Sequence, residues 1–136
     1  MLKVKVAPSI LAGDFARMGE TVKTLEECGA DYIHCDVMDG NFVPTITFGD
    51  QMIRHIRPYT ALPLDCHLMV LRPETRLEGF ARAGANMATI HVEECRENTV
   101  QMLRLIKNYG MKASAVINPN TPVESIFDAV GDADML

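Results

Sequence analysis

The sequence predicts an α/β fold: parallel β/α units of a (β/α)8 barrel, running through about five units and the start of a sixth strand. Three observations carry this. Short apolar, strand-like runs alternate with helix-like stretches in units of about 25 residues, the pattern of parallel strands joined by right-handed crossovers. Gly29-Ala30-Asp31 and Gly84-Ala85-Asn86 punctuate corresponding helix-to-strand junctions, and Gly110 and Gly131 repeat the punctuation. The first turn, Ala12-Gly13-Asp14, is too short for a dinucleotide loop, and no GxGxxG follows the first strand, which argues against a Rossmann arrangement.

The first predicted strand is Val4–Leu11, continuing the alternation of charged and apolar residues that begins at Met1-Leu2-Lys3. That alternation is unlike a signal peptide. Asp14–Cys28 places Phe15, Met18, Val22, Leu25 and Cys28 at helical spacing, with Asp14 as N-cap and Gly29 as the stop. Tyr32–Met38 is the second strand, and a weaker helix covers Gly49–Ile56. Leu64–Val70 is the third strand, followed by a helix over Pro73–Ala83 that stops at Gly84. Ala88–Val92, a helix over Asn98–Tyr109 and the strand Ala113–Ile117 come next. Thr121-Pro122-Val123-Glu124 reads as a capping box opening a helix to Val130. Ala133–Leu136 opens a sixth strand. The whole chain, 1–136, is expected to be a single partial barrel domain, since a closed barrel needs at least ~200 residues.

Composition narrows the function classes. Apolar residues make up 48% and charged residues 23%, as in soluble globular proteins. No stretch approaches the ~20 apolar residues of a membrane span, so a cytoplasmic protein with no membrane partner is expected. The net charge of −5 and the lack of a basic cluster argue against nucleic acid, though not against a small phosphorylated ligand. Cys28, Cys35, Cys66 and Cys95 form no CxxC pair and are read as reduced, buried thiols.

Strand alternation defines the candidate site. In His34-Cys35-Asp36-Val37-Met38-Asp39-Gly40, His34, Asp36 and Met38 share one face. The apolar face belongs against the helices, so these three point into the barrel. Imidazole and carboxylate two residues apart suit a divalent metal; a structural His–Asp pair is the alternative. On the next strand Asp65, His67 and Met69 share the corresponding face. A polar ligand type beside an inward Met on two adjacent strands favours the metal site. His91 and Glu93 read first as a hydrogen-bonded polar pair, otherwise as further ligands or as residues orienting the first set. Ser9 either contacts a polar substrate or bonds its own backbone. His55 belongs on a helix surface. Of the nine methionines, Met38 and Met69 stand out because their register puts them over the proposed metal.

The segments Ala7-Pro8-Ser9-Ile10-Leu11, His34 through Pro44, and Leu64-Asp65-Cys66-His67-Leu68-Met69-Val70 resemble those of ribulose-phosphate 3-epimerases; Gly84-Ala85, His91-x-Glu93 and Asn118-Pro119-x-Thr121-Pro122 add weaker matches. The resemblance implies a (β/α)8 barrel with one divalent metal, Zn2+ or Fe2+ foremost, with Mn2+ or Co2+ as substitutes. It implies epimerisation at C3 of a ketose phosphate, D-ribulose 5-phosphate to D-xylulose 5-phosphate, through a cis-enediolate in pentose phosphate metabolism. Position by position, His34, Asp36 and His67 would be metal ligands and Asp36 also an acid/base carboxylate. Ser9 and His67 would contact the sugar phosphate, and Met38 and Met69 would cap the site. A homo-oligomer is also expected. The second catalytic carboxylate, the phosphate-binding glycine loops and a third capping Met would lie beyond Leu136, so the chain is expected to be truncated and impaired when alone. The alternatives are a non-catalytic, self-assembling half-barrel and an epimerase for another ketose 6-phosphate such as allulose 6-phosphate.

Overall fold

The computed structural model describes residues 4–136, so the expectation for Met1–Lys3 lies outside the described residues. Four strands form one parallel sheet: β1 (Ile33–Met38), β2 (Leu64–Met69), β3 (Met87–His91) and β4 (Lys112–Val116), in the order β1-β2-β3-β4. Strictly sequential order leaves no switch point at which the winding reverses. Right-handed crossovers therefore put every helix on the same face, as in a barrel wall rather than a doubly wound sheet. The helices are α1 (Met18–Glu27), α2 (Asp50–Ile56), α3 (Leu77–Ala83), the one-turn α4 (Val92–Cys95) and α5 (Thr99–Asn108). Among the described residues no helix is long and apolar enough to cross a membrane.

Packing follows the two faces. Ile33, Cys35 and Val37 of β1 are buried while His34, Asp36 and Met38 are half-buried, so alternation divides helix side from inner side. Leu64, Leu68 and Ile90 continue the helix-side layer and meet Ile53, Ile56, Leu77, Leu103 and Ile106, all essentially fully buried. Each such side chain contributes roughly 1.5–3 kcal/mol by leaving water. The register Ile33↔Leu64 through Met38↔Met69 aligns β1 and β2 residue for residue, which lays His34 beside Asp65 and Asp36 beside His67.

Three expectations are corrected. Val4–Leu11 is not a continuous strand: Val6 and Pro8 carbonyls accept from Asp31, Tyr32 and His34 amides, but pairing narrows to a single parallel bridge, Ser9 with His34. Pro8 has no N–H to give a ladder, the Val6 N–H is taken by the Asp31 carboxylate, and Ser9 turns the chain into a 3-10 turn, Ile10–Ala12, by accepting from the Leu11 N–H. The capping box does not form. Val123–Ala129 is 3-10 without a side-chain cap, and the Thr121 hydroxyl donates to Glu93. Cys28 is exposed, beyond the end of α1, whereas Cys35, Cys66 and Cys95 are buried free thiols as expected. The opening of a sixth strand at Ala133–Leu136 is present as one parallel bridge, Ser114 with Met135.

The end of the sheet opposite the site is held by Arg57. Its guanidinium donates to the Leu62 carbonyl at 2.8 Å and to Asn86 Oδ1 at 3.0 Å, and it also bonds the Thr60 carbonyl. Asn86 Oδ1 in turn accepts from the Leu64 N–H. Gly84 closes α3 at φ +98°, and a Cβ there would lie 2.8 Å from Arg57 Cδ. Gly84→Ala therefore strains the backbone and pushes Arg57 out of its clamp. A stability loss of about 1–3 kcal/mol in chemical denaturation is expected, whereas Gly110→Ala, which meets no atom within 4 Å, should show only the backbone part.

Candidate metal centre

The inner faces of β1 and β2 bring three donor groups together. One nitrogen each from His34 and His67 and a carboxylate oxygen of Asp36 lie within 4.8 Å of one another. His34 Nε2 and His67 Nδ1 are each 3.3 Å from Asp36 Oδ1. Donors held 2.0–2.2 Å from one tetrahedral ion are separated by roughly 3.3–3.6 Å, so the spacing fits a bound divalent cation. Two imidazoles and a carboxylate suit Zn2+, Fe2+, Mn2+ or Co2+. Asp36 and His67 stand in the C-terminal halves of β1 and β2, with His34 two residues earlier on the same face; sites of this architecture are built beyond that end of the strands.

Each donor is oriented from behind. His34 Nδ1 lies 2.8 Å from Asp65 Oδ2, and the other Asp65 oxygen accepts from Thr89. This pairing leaves Nε2 as the free lone pair and, against the opposing effect of burial, raises the His34 pKa. Ser9 donates its hydroxyl to Asp36 Oδ2, so Oδ1 is the oxygen turned to the histidines. His67 Nε2 is 2.9 Å from His91 Nε2, and His91 Nδ1 is 3.3 Å from Glu93 Oε2. Burial lowers the pKa of both His67 and His91, reinforced at His67 by the neighbouring imidazoles. Both rings are thus neutral near pH 7, the form that can ligate a cation.

Ser9 meets both readings the sequence left open, since its oxygen accepts from the Leu11 N–H while its hydroxyl donates to Asp36. Met38 and Met69 pair side by side at the strand ends, one step beyond the donor residues on the inner face. His55 is exposed on α2. β3 ends at His91, so Glu93 does not share a strand face with it but sits in α4, where it still reaches His91. Sequence reasoning gave no role to Asp65 or Thr47. The first is legible once β1 and β2 are set in register. The second is not: Thr47 donates to the Asp36 carbonyl at 2.7 Å and accepts from the Met38 N–H at 3.0 Å, from a loop whose path no periodicity reveals.

Asp39 organises that loop. Its carboxylate accepts from the Asn41, Phe42 and Leu71 N–H groups at 2.8–2.9 Å, tying the ends of β1 and β2 together. Desolvation is the largest single influence and raises its pKa, but these bonds together outweigh it and leave it below the usual Asp value. A depressed folded-state pKa gives stability that is present above the unfolded value, near 4, and lost as pH falls through the folded one. Thermal unfolding followed from pH 6 down to pH 3 should therefore show a steeper fall for the wild type than for Asp39→Asn, which begins less stable.

A sequentially ordered parallel β/α wall, with a His–Asp–His cluster on its inner face, belongs to the β/α-barrel class of folds. Residues 5–136 match the ribulose-phosphate 3 epimerase family, and the chain belongs to that family. It is 47% identical over 133 residues to ribulose-phosphate 3-epimerase of Bacillus subtilis (98% of this chain, 61% of the relative). It is 49% identical over 134 residues to that of Synechocystis (98% and 58%). The chloroplastic ribulose-5-phosphate-3-epimerase of Arabidopsis thaliana is 48% identical over 96% of this chain and 47% of its own length. The chain thus spans roughly half to three fifths of these relatives. A crystal structure of mandelate oxidase superposes with a TM-score of 0.64 at 14% identity, covering 91% of this chain and 47% of that one, which shows a shared fold alone.

Proposed function

We propose that this chain carries the metal-and-base half of a ribulose-phosphate 3-epimerase site, acting on D-ribulose 5-phosphate in pentose phosphate metabolism. The observation that supports it most is the convergence of His34 Nε2, Asp36 Oδ1 and His67 Nδ1, in a chain 47–49% identical to epimerases so named. His34, Asp36 and His67 would hold one divalent cation, Zn2+ or Fe2+ before Mn2+ or Co2+. When bound, the cation supplies Lewis acidity that stabilises negative charge developing on the substrate oxygens, worth several kcal/mol.

The residues of the chain do the rest. C3 of a 2-ketose is α to the carbonyl, so its proton is removable once the enediolate charge is stabilised. Asp36 takes that proton; Ser9, donating to Oδ2, keeps the carboxylate turned towards the substrate. Proximity offsets the low basicity of a carboxylate. Met38 and Met69 face the same space and exclude water, which strengthens the electrostatics and protects the enediolate. Ser9 and His67 would also contact the sugar phosphate. Epimerisation further requires a second acid on the opposite face of the substrate; Asp36 serves the first step.

That step has its own assay. In D2O, the metal-loaded protein is expected to wash deuterium into C3 of D-ribulose 5-phosphate, followed by NMR, and chelation should stop it. A loaded protein that leaves the C3 proton unexchanged would contradict the proposal.

A further inference from the structure

His67 has to present Nδ1 as a lone pair if it is to ligate a cation, yet Nδ1 faces the Asp36 carboxylate at 3.3 Å. In an isolated pair, that nitrogen would sooner carry the proton and donate it to Asp36. Something must hold the proton on Nε2 instead.

The geometry behind His67 does so. The His67 and His91 rings have centroids 5.0 Å apart and planes only 20° apart, with Nε2 to Nε2 at 2.9 Å. They therefore meet edge to edge through one shared hydrogen bond. Such a contact needs one proton between the two nitrogens, because two lone pairs or two N–H groups would repel. Which ring owns it is decided one step further out. His91 Nδ1 faces Glu93 Oε2, and a carboxylate only accepts, so the His91 proton belongs on Nδ1. His91 Nε2 is then the acceptor and His67 Nε2 the donor. Glu93 is itself fixed: its other oxygen accepts from the Asn118 backbone N–H at 2.6 Å and from Thr121. Phe42 packs on the His91 ring at 4.6 Å, and His91 is 5% exposed, so water does not compete for the ring.

We infer that Glu93 and His91 are positioning residues which, through this relay, set the His67 tautomer and present Nδ1 to a cation before any cation arrives. Asp65 does the same for His34 in one step; Glu93 does it for His67 in two, and ties the Asn118–Thr121 loop to the centre. The inference rests on the metal-site reading above.

Glu93→Gln tests it with almost no change of shape. The backbone N–H of Asn118 can only donate, so the amide oxygen must take that side and the amide NH2 must face His91 Nδ1. The relay then reverses: His91 carries its proton on Nε2, His67 accepts there, and His67 Nδ1 is protonated and cannot ligate. In 15N-histidine NMR of the metal-free protein, the wild type is expected to show His67 as the Nε2–H tautomer and His91 as Nδ1–H. Glu93→Gln should exchange both assignments and weaken Zn2+ binding about 10- to 100-fold. Thr121→Val, which keeps the carboxylate, should leave both tautomers as they are. Unreversed tautomers in Glu93→Gln, or reversal with unchanged Zn2+ affinity, would overturn the inference while wild-type binding stands. Failure of the wild type itself to bind Zn2+ would instead sink the metal-site reading and the relay's purpose with it. Should Glu93→Gln not fold, the wild-type assignments decide: a metal-free His67 carrying its proton on Nδ1 overturns the inference.

Discussion

Replacing Asp36 with Asn is expected to reduce deuterium wash-in at C3 by ~10²–10⁴-fold, the usual contribution of a positioned general base, and to weaken cation binding by at least ~10²-fold. The second figure exceeds what loss of an orienting partner typically costs, because Asp36 supplies the only carboxylate of the His34–Asp36–His67 cluster. An amide keeps the shape and still offers Ser9 a partner, but it carries no charge to set against a dication and no basicity towards a carbon acid. The fold should be indifferent to the change. The Asp36 side chain is 14% exposed on the inner face and forms no part of the helix-side core. Equilibrium dialysis with metal analysis, the wash-in rate and the denaturation midpoint, measured on one preparation, separate these effects.

Leu68→Ala is expected to do the converse. Leu68 lies between Val37 of β1 and Ile90 of β3 in the parallel register and is 1% exposed. Truncation removes three carbons from the centre of the layer between sheet and helices and leaves a cavity that a close-packed sheet cannot refill. Such changes cost about 2–5 kcal/mol, a large part of the 5–15 kcal/mol by which a domain is ordinarily stable. The urea midpoint should fall sharply with its slope retained. Met38→Leu, one face over, conserves volume and should cost less than ~1.5 kcal/mol. The two faces of one sheet thus separate experimentally: outward residues carry stability, inward residues carry the site.

The extent to which the sequence foretold this arrangement followed the range of the forces involved. Alternation along β1 and β2 is a local property, and it put His34, Asp36 and Met38, then His67 and Met69, on the faces where the structure has them. The Asp14 cap was equally local, its side chain accepting from the Ala16 N–H, although it opens a 3-10 turn over Phe15–Arg17 and α1 begins only at Met18. What failed depended on partners distant in the chain. Thr121 had the spacing of a cap, but no side-chain cap forms and its hydroxyl donates to Glu93, 28 residues away in the chain. Val4–Leu11 had the alternation of a strand, but Asp31 and the Ser9 side chain claimed its backbone N–H groups or those next to them. Asp65 and His91 were visible as inward polar residues; their roles required knowing which ring nitrogen each one meets.

The proposed chemistry depends on one divalent cation held through His34, Asp36 and His67. Titrating the metal-free protein with Co2+, and following the ligand-field absorption bands, tests it most directly, because those bands report donor type and number as well as occupancy. Saturation is expected at one Co2+ per chain, with displacement by Zn2+ and loss of the bands in both His34→Ala and His67→Ala. Saturable bands that survive either substitution, or a protein that binds no Co2+ at all, would contradict it.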